Sequence, residues 1–159
     1  MKKIGLLCLA LVLALGTLGI GYAAWMDEVS FQGTAKSGYI EVVLSPGVCS
    51  DPKISCSVSA PHTLIVTLTN PGAGNYTCSF TVTNTGTIPV KIQSIVTSGA
   101  PAGVEVSVSG VAEGTQIEQA GVYPDSFDGA VIVTVQGSCE GTFSFSVAFS
   151  FVQWNLYIE

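Results

Sequence analysis

The sequence contains no arginine, a single histidine (His62) and few charged residues of any kind. Charged residues make up only 10% of its 159 residues, and five lysines stand against eleven carboxylates. Without arginine the chain lacks the guanidinium groups that bind phosphate with two parallel hydrogen bonds, and an acidic balance repels polyanions. We therefore do not expect nucleic acid to be a partner.

Residue patterns for catalysis or metal binding are also scarce. The sequence has no G-x-S-x-G, H-E-x-x-H or C-x-x-C motif. His62 follows Pro61 in a predicted loop, where a surface histidine is a better expectation than a general base. We expect no enzyme activity, no metal site and no cofactor. Glu118, Asp125 and Asp128 leave a calcium-binding loop open, although solvated acidic loops are commoner.

The N-terminus has the pattern of a secretory signal peptide. Two lysines precede an apolar run over residues 4–20, and the small residues Ala23 and Ala24 come just before Trp25. We predict a helical signal peptide over residues 1–24, cleaved after Ala24 or, nearly as readily, after Ala23. An uncleaved anchor is the alternative, because such a run can just span a bilayer. Either way we expect the folded part to lie outside, as a secreted or cell-surface protein. If the leader is cleaved, the chain contacts the membrane only through the leader before cleavage.

Four cysteines follow the leader, which itself contains Cys8. An even number of cysteines in an oxidising compartment predicts two disulfides. Three pairings are possible, and the sequence alone does not choose among them. We favour Cys49 with Cys56, which closes a short loop, and Cys78 with Cys139, which joins distant strands.

Apolar residues alternate with serine or threonine through nearly all of the chain after the leader. This period of two is typical of strands with one face in a core and one in water. The predicted strands are residues 29–34, 39–44, 63–69, 76–83, 88–92, 104–108, 130–135 and 142–154. Eight strands separated by glycine or proline turns predict an all-β, antiparallel, two-sheet sandwich, either jelly-roll-like or, less well matched, immunoglobulin-like.

Three local features complete this prediction. We expect residues 45–60 to be irregular, and Pro89 to stand at a strand start or on an edge strand. Trp154 is expected to pack at one end of the sandwich. Asn75 begins a formal N-glycosylation sequon, which matters only if the source glycosylates its exported proteins.

Four short motifs occur in a recognisable order. They are Gly21–Asp27, Ala35–Glu41 with its SG-x-I pattern, Asn84–Lys91 with the N-x-G turn of Asn84 and Gly86 followed by Pro89, and the terminal QWN of Gln153, Trp154 and Asn155. In this order they resemble the TasA and camelysin family of secreted bacterial matrix-fibre subunits, with which archaeal bundling pilins share an architecture. The likeness spans nearly the whole chain, although the chain is much shorter than TasA and has four cysteines that TasA lacks.

The resemblance implies a jelly-roll domain over residues 37–159, export through a signal peptidase of the ER-like type, and polymerisation of the chain with itself by donor-strand exchange. The donor strand would be residues 25–36, where Val29 and Phe31 lie on one face. Three alternatives stay open. The segment can instead pair within its own subunit, the domain can be a monomeric cell-surface binding or adhesion module, and the camelysin branch has been associated with protease activity.

Overall fold

The computed structural model describes Cys8, residues 11–15 and residues 37–157. Cys8 and residues 11–15 are helical, and among the described residues no helix has both the length and the hydropathy needed to cross a bilayer. The chain divides after Lys36 into two units. The predicted cleavage residues Ala23, Ala24 and Trp25, and the predicted donor-strand residues Val29 and Phe31, lie outside the described residues.

The second unit carries nine strands within the described range. They are β1 Val42–Cys49, β2 Ile54–Ala60, β3 Thr63–Thr69, β4 Gly74–Asn84, β5 Val90–Ser98, β6 Val104–Ser109, β7 Gln116–Ile117, β8 Ser126–Val135 and β9 Thr142–Gln153. A 3-10 helix, Trp154–Leu156, follows β9.

The strands form two antiparallel sheets. One sheet has four strands in the order β1-β4-β8-β6, and the other has five in the order β2-β3-β9-β5-β7. Only the β2–β3 connection stays within one sheet, and every other connection crosses to the opposite sheet. The predicted all-β, antiparallel, two-sheet sandwich is confirmed.

The core lies between the two sheets and follows the period-two pattern of the sequence. In β4, Tyr76, Cys78, Phe80 and Val82 are buried, and each residue between them is only partly buried. Across the interior the ring of Phe80 lies 5.3 Å from that of Phe149 in β9. The apolar side chains at every second position of the strands thus pack between the two sheets and hold them together.

The prediction that residues 45–60 are irregular is wrong. Strand β1 continues to Cys49 through a register shift that begins at Pro46, and β2 forms from Ile54. Strand β2 has the sequence ISCSVSA, whose small side chains are mostly exposed because it lies at the edge of its sheet. An edge strand built from small residues gives only a weak amphipathic signal.

The predicted disulfide pairings are also wrong. Cys49 is bonded to Cys78, because antiparallel pairing of β1 with β4 places these residues opposite each other, with a Cα–Cα distance of 4.0 Å. Cys56 lies in the other sheet, opposite Val66 in β3. Cys56 and Cys139 are free thiols, both partly buried, and burial raises the pKa of the Cys56 thiol.

Replacing Cys49 and Cys78 together by serine should lower the free energy of unfolding by about 3–4 kcal/mol, because the bond joins residues 29 apart in sequence. Urea unfolding followed by circular dichroism measures this loss. The Cys56→Ser variant is the matched control and should lose much less. An equal loss in both variants would contradict the assignment of the stabilising disulfide to Cys49 and Cys78.

Candidate functional site

The turn between β4 and β5 is organised by the side-chain amide of Asn84, which is completely buried. Its Nδ2 donates to the carbonyl of Ile88 at 2.8 Å and, with a longer distance of 3.4 Å, to that of Ile117. Its Oδ1 accepts from the backbone N–H of Gly86 at 2.9 Å. Because both ends of the amide are bonded, burial leaves no polar atom without a partner.

Gly86 lets another part of the chain approach this turn. A Cβ atom at this position would lie 2.6 Å from the carbonyl oxygen of Tyr39 and 2.7 Å from the backbone nitrogen of Glu41. The backbone N–H of Gly86 donates to the carbonyl of Glu41 at 3.1 Å. A side chain here would therefore push the N-terminal stretch of the domain away from the turn.

Three separate parts of the chain are hydrogen-bonded to residues 84–89. Two hydrogen bonds join Tyr39 and Thr87, both at 3.0 Å. The backbone N–H of Tyr39 donates to the side-chain hydroxyl of Thr87, and the backbone N–H of Thr87 donates to the carbonyl of Tyr39. The N–H of Ala120, in the β7–β8 connection, donates to Gly86 at 3.0 Å. The N–H of Trp154 donates to Pro89 at 3.2 Å. We call this region, the turn and the three parts bonded to it, the Asn84 end.

The Asn84 end brings together sequence motifs that are far apart in the chain. Gln153 is the last residue of β9 and pairs with Val90 of β5. Pro89 directly precedes β5, in agreement with the predicted strand start. Trp154 and Asn155 begin the 3-10 helix. Trp154 is 48% exposed, so it packs against the end of the sandwich less completely than predicted.

Six apolar side chains are exposed around the Asn84 end, each between 42% and 94%. They are Tyr39, Ile40, Val122, Tyr123, Trp154 and Leu156, and we call them the apolar collar. Single exposed apolar residues are common on soluble proteins, so the presence of six at one end is what makes this surface a candidate for an interaction. The sequence gives no sign of Tyr123, the most exposed of the six, because a tyrosine in a polar loop follows no periodic pattern.

The acidic residues considered for calcium do not form a ligand set. Glu118 accepts from the Gln116 amide at 2.7 Å, Asp125 accepts from the N–H of Gly121 at 3.1 Å, and Asp128 accepts from the Thr81 hydroxyl at 2.7 Å. Within the described part of the chain, no three metal-ligating side chains lie close enough to hold an ion.

A second notable feature is the free edge of β2. The backbone N–H of Thr69 in β3 donates to the carbonyl of Lys53. In an antiparallel pair every second residue is bonded to the partner strand, so the residues between them point their N–H and C=O outward. Counted from Lys53, the backbone groups of Cys56 and Val58 therefore point away from β3. Their side chains face the interior, opposite the buried Val66 and Leu64. Yet Cys56 is only half-buried and Val58 is 40% exposed. Within residues 37–157 β3 is the one strand that pairs with β2, so in that range the other edge of β2 is open in both its backbone and its side chains.

Two other stretches of strand are partly shielded: β1, at the margin of its sheet, and the part of β5 that lies beyond its short pairing with β7. In β1, Pro46 interrupts the regular pairing, and the Nε2 of His62 lies 3.0 Å from the carbonyl of Val42. Along β5, the N–H of Ile95 donates to the carboxylate of Glu113 at 3.2 Å. Proline, bulges and covering side chains are common ways to block strand addition. Strand β2 carries neither charge nor proline, and its own register shift comes only at its end, between Val58 and Ala60.

His62 has a structural position rather than a catalytic environment. Its ring meets the ring of Phe151 edge to face with centroids 4.9 Å apart, and its backbone carbonyl accepts from the N–H of Phe149 at 2.8 Å. It joins the β2–β3 hairpin of one sheet to β1 of the other. Asn75 of the glycosylation sequon is exposed near the start of β4.

Comparisons of the chain with protein-family models, curated proteins and solved structures gave no match. Function must therefore be argued from the geometry of the Asn84 end and of the β2 edge.

Replacing Asn84 by aspartate should lower the free energy of unfolding by about 2–4 kcal/mol, because a carboxylate cannot donate to Ile88 and Ile117 and is buried without a compensating charge. Chemical unfolding measures the loss. The control is Asn75→Asp, the same chemical change at an exposed position, which should leave stability nearly unchanged. Equal stability of the Asn84→Asp and wild-type proteins would contradict the role given to the amide.

Proposed function

We propose that the chain is an exported structural subunit that polymerises with copies of itself into extracellular fibres, and that residues 25–36 of one copy add as a strand to the sheet of the next. The observation that carries this proposal is the unprotected edge of β2. The likeness of the four sequence motifs to the TasA and camelysin family supports the same function.

The chemistry of the two partners is complementary. An incoming strand bonds to the outward backbone groups of Cys56 and Val58, and each such hydrogen bond contributes about 0.5–1.5 kcal/mol. Val29 and Phe31 are two residues apart, so they lie on the same face of an extended strand. When the strand pairs with β2, this face covers the partly open interior beside β2. Burial of each contributes about 1.5–3 kcal/mol. These terms act against the cost of ordering the segment, which is about 1–2 kcal/mol for each residue that becomes fixed.

The other face of the segment matches the outer surface of the sheet. Glu28, Ser30, Gln32 and Thr34 alternate with the apolar residues, and the outward residues of β2 are the exposed serines Ser55, Ser57 and Ser59. Addition of the strand therefore continues the polar outer face of the five-stranded sheet. A shift of one residue in the pairing would turn Phe31 to the outer face and expose it to water, so that register is disfavoured.

The segment is also in the right place to serve as a donor. The strand pairings of the described residues all lie within residues 42–153, and the buried core of that part runs from Val42 to Phe149. Removal of the leader by a signal peptidase of the ER-like type then leaves the segment attached at one end only, and repeated addition from copy to copy gives an open polymer.

The disulfide fits the proposed location. A buried bond between Cys49 and Cys78 indicates an oxidising, extracellular-type compartment. We propose that the leader directs the chain there and that the assembled fibre is extracellular or attached to the cell surface.

A monomeric binding module is the second candidate, favoured by a shallow depression of about 270 Å³ on the five-stranded sheet. It is lined by Ile65, Ser98, Gly99, Ser144, Phe145 and Ser146. Such a depression suits a small polar ligand, but it offers no charged side chain to fix one. The open edge of β2 favours assembly instead.

Deletion of residues 25–36 from the mature protein should abolish filaments seen by negative-stain electron microscopy, and Phe31→Asp should raise the concentration needed for assembly at least tenfold. The reason is that the aspartate places a charge where the segment meets the apolar interior. Gln32→Asp puts the same charge on the outward face and should assemble like the wild type. Filaments of the deleted protein equal to those of the wild type would rule out the donor role of the segment.

A substitution that blocks the β2 edge of the accepting copy should also reduce assembly. Val58→Pro removes an outward N–H and leaves the hydrogen bonds between β2 and β3 in place, so the monomer should fold while its assembly is reduced at least tenfold. Val43→Ser, an equally exposed valine in the other sheet, is the control. Sedimentation of polymer from soluble protein measures both. Normal assembly of a folded Val58→Pro variant would show that β2 is not the acceptor.

A further inference from the structure

We propose that the apolar collar is the surface through which each copy of the chain contacts the neighbouring copy that holds its N-terminal segment. This inference rests on the proposed function but concerns a different surface, because the collar lies at the Asn84 end and the strand-accepting edge lies along β2.

The collar is preorganised. Tyr39 is fixed by its two hydrogen bonds to Thr87, and Trp154 is fixed by its bond to Pro89. The loop that carries Val122 and Tyr123 is bonded at both ends, because the carbonyl of Asp125 accepts from the N–H of Asn84 at 2.9 Å and the N–H of Ala120 donates to Gly86. Side chains mounted on a fixed backbone lose less conformational entropy when a partner covers them, which favours a binding surface.

The position of the collar in the chain indicates that the partner covering it is a second copy of the chain. Residues 25–36 join the domain at Ser37, and Tyr39 of the collar is only two residues further along the chain. Two residues span at most about 7 Å. A neighbouring copy that holds this segment in its own sheet is therefore connected to the first copy at the Asn84 end. Strand β2 has seven residues, so about five of the twelve residues of the segment can lie between the two domains. The collar is the surface of the first copy beside this short connection.

The residue types of the collar agree with a protein partner. Tyrosine and tryptophan are the residues that contribute most to protein–protein contacts when they are buried at an interface. The carboxylates at this end have partners within the domain: Glu41 accepts from the Thr85 hydroxyl at 3.0 Å, and Glu118 and Asp125 are bonded as described above. An anionic lipid surface fits this end less well, because it would face these three carboxylates.

The test uses the mature protein with Tyr123→Ser and Trp154→Ser combined. Tyr123 is 94% exposed and Trp154 is 48% exposed, so loss of the half-buried Trp154 should lower the melting temperature by several degrees while the monomer still folds. The critical concentration for assembly, measured well below that melting temperature, should rise at least tenfold. Val96→Ser is the matched control, because Val96 is 54% exposed on the outer face of a sheet, away from the Asn84 end. It should assemble like the wild type.

The outcomes separate this inference from the proposed function. If the protein without residues 25–36 assembles as well as the wild type, the proposed function fails. If that deletion abolishes assembly but the collar variant has the wild-type critical concentration, only the inference about the collar is overturned.

A photo-crosslinking amino acid in place of Tyr123 adds a direct readout. Crosslinked dimers in assembled samples support the contact, and their absence contradicts it. Vesicles of phosphatidylcholine and phosphatidylglycerol give the last comparison. Vesicle binding that is lost in the collar variant, with assembly unchanged, would assign the collar to lipid instead.

Discussion

The hydrogen bonds of one buried amide hold together the end of the sandwich on which the proposed assembly depends. Asn84 fixes the turn between β4 and β5, and that turn in turn holds the N-terminal stretch through Thr87, the β7–β8 connection through Gly86, and the C-terminal 3-10 helix through Pro89. Because the amide is out of contact with water, water cannot readily replace any of its hydrogen bonds. The loops at this end therefore behave as one unit, although their residues are far apart in sequence.

The strand margins of the sandwich differ in how they are covered. Pro46 and His62 interrupt or cover β1, and Glu113 covers part of β5. Among the described residues β2 has no such cover, and its small uncharged residues leave room for another strand. An open edge of this kind is a hazard for aggregation unless a partner strand occupies it.

The fold class could be read from the sequence because serine and threonine alternate so regularly with apolar residues. Strand β3 was predicted at its observed bounds, residues 63–69, since both faces of a central strand follow the period of two. Strand β2 was missed because an edge strand buries little, and the pairing of Cys49 with Cys78 was missed because it depends on which strands are neighbours. The N-x-G and QWN motifs were found, but that they meet at one end follows only from the crossing connections. Tyr123 carries no sequence signal at all.

The disulfide has a mechanical consequence. Tension transmitted along a polymer would reach each domain at residue 37 and would first peel β1 from its place at the margin of the four-stranded sheet. The covalent link from Cys49 to Cys78 stops this peeling at the far end of β1 and passes the load to β4, which lies between two other strands. In the proposed polymer, such a subunit would extend by the residues ahead of Cys49 before the covalent link carries the load.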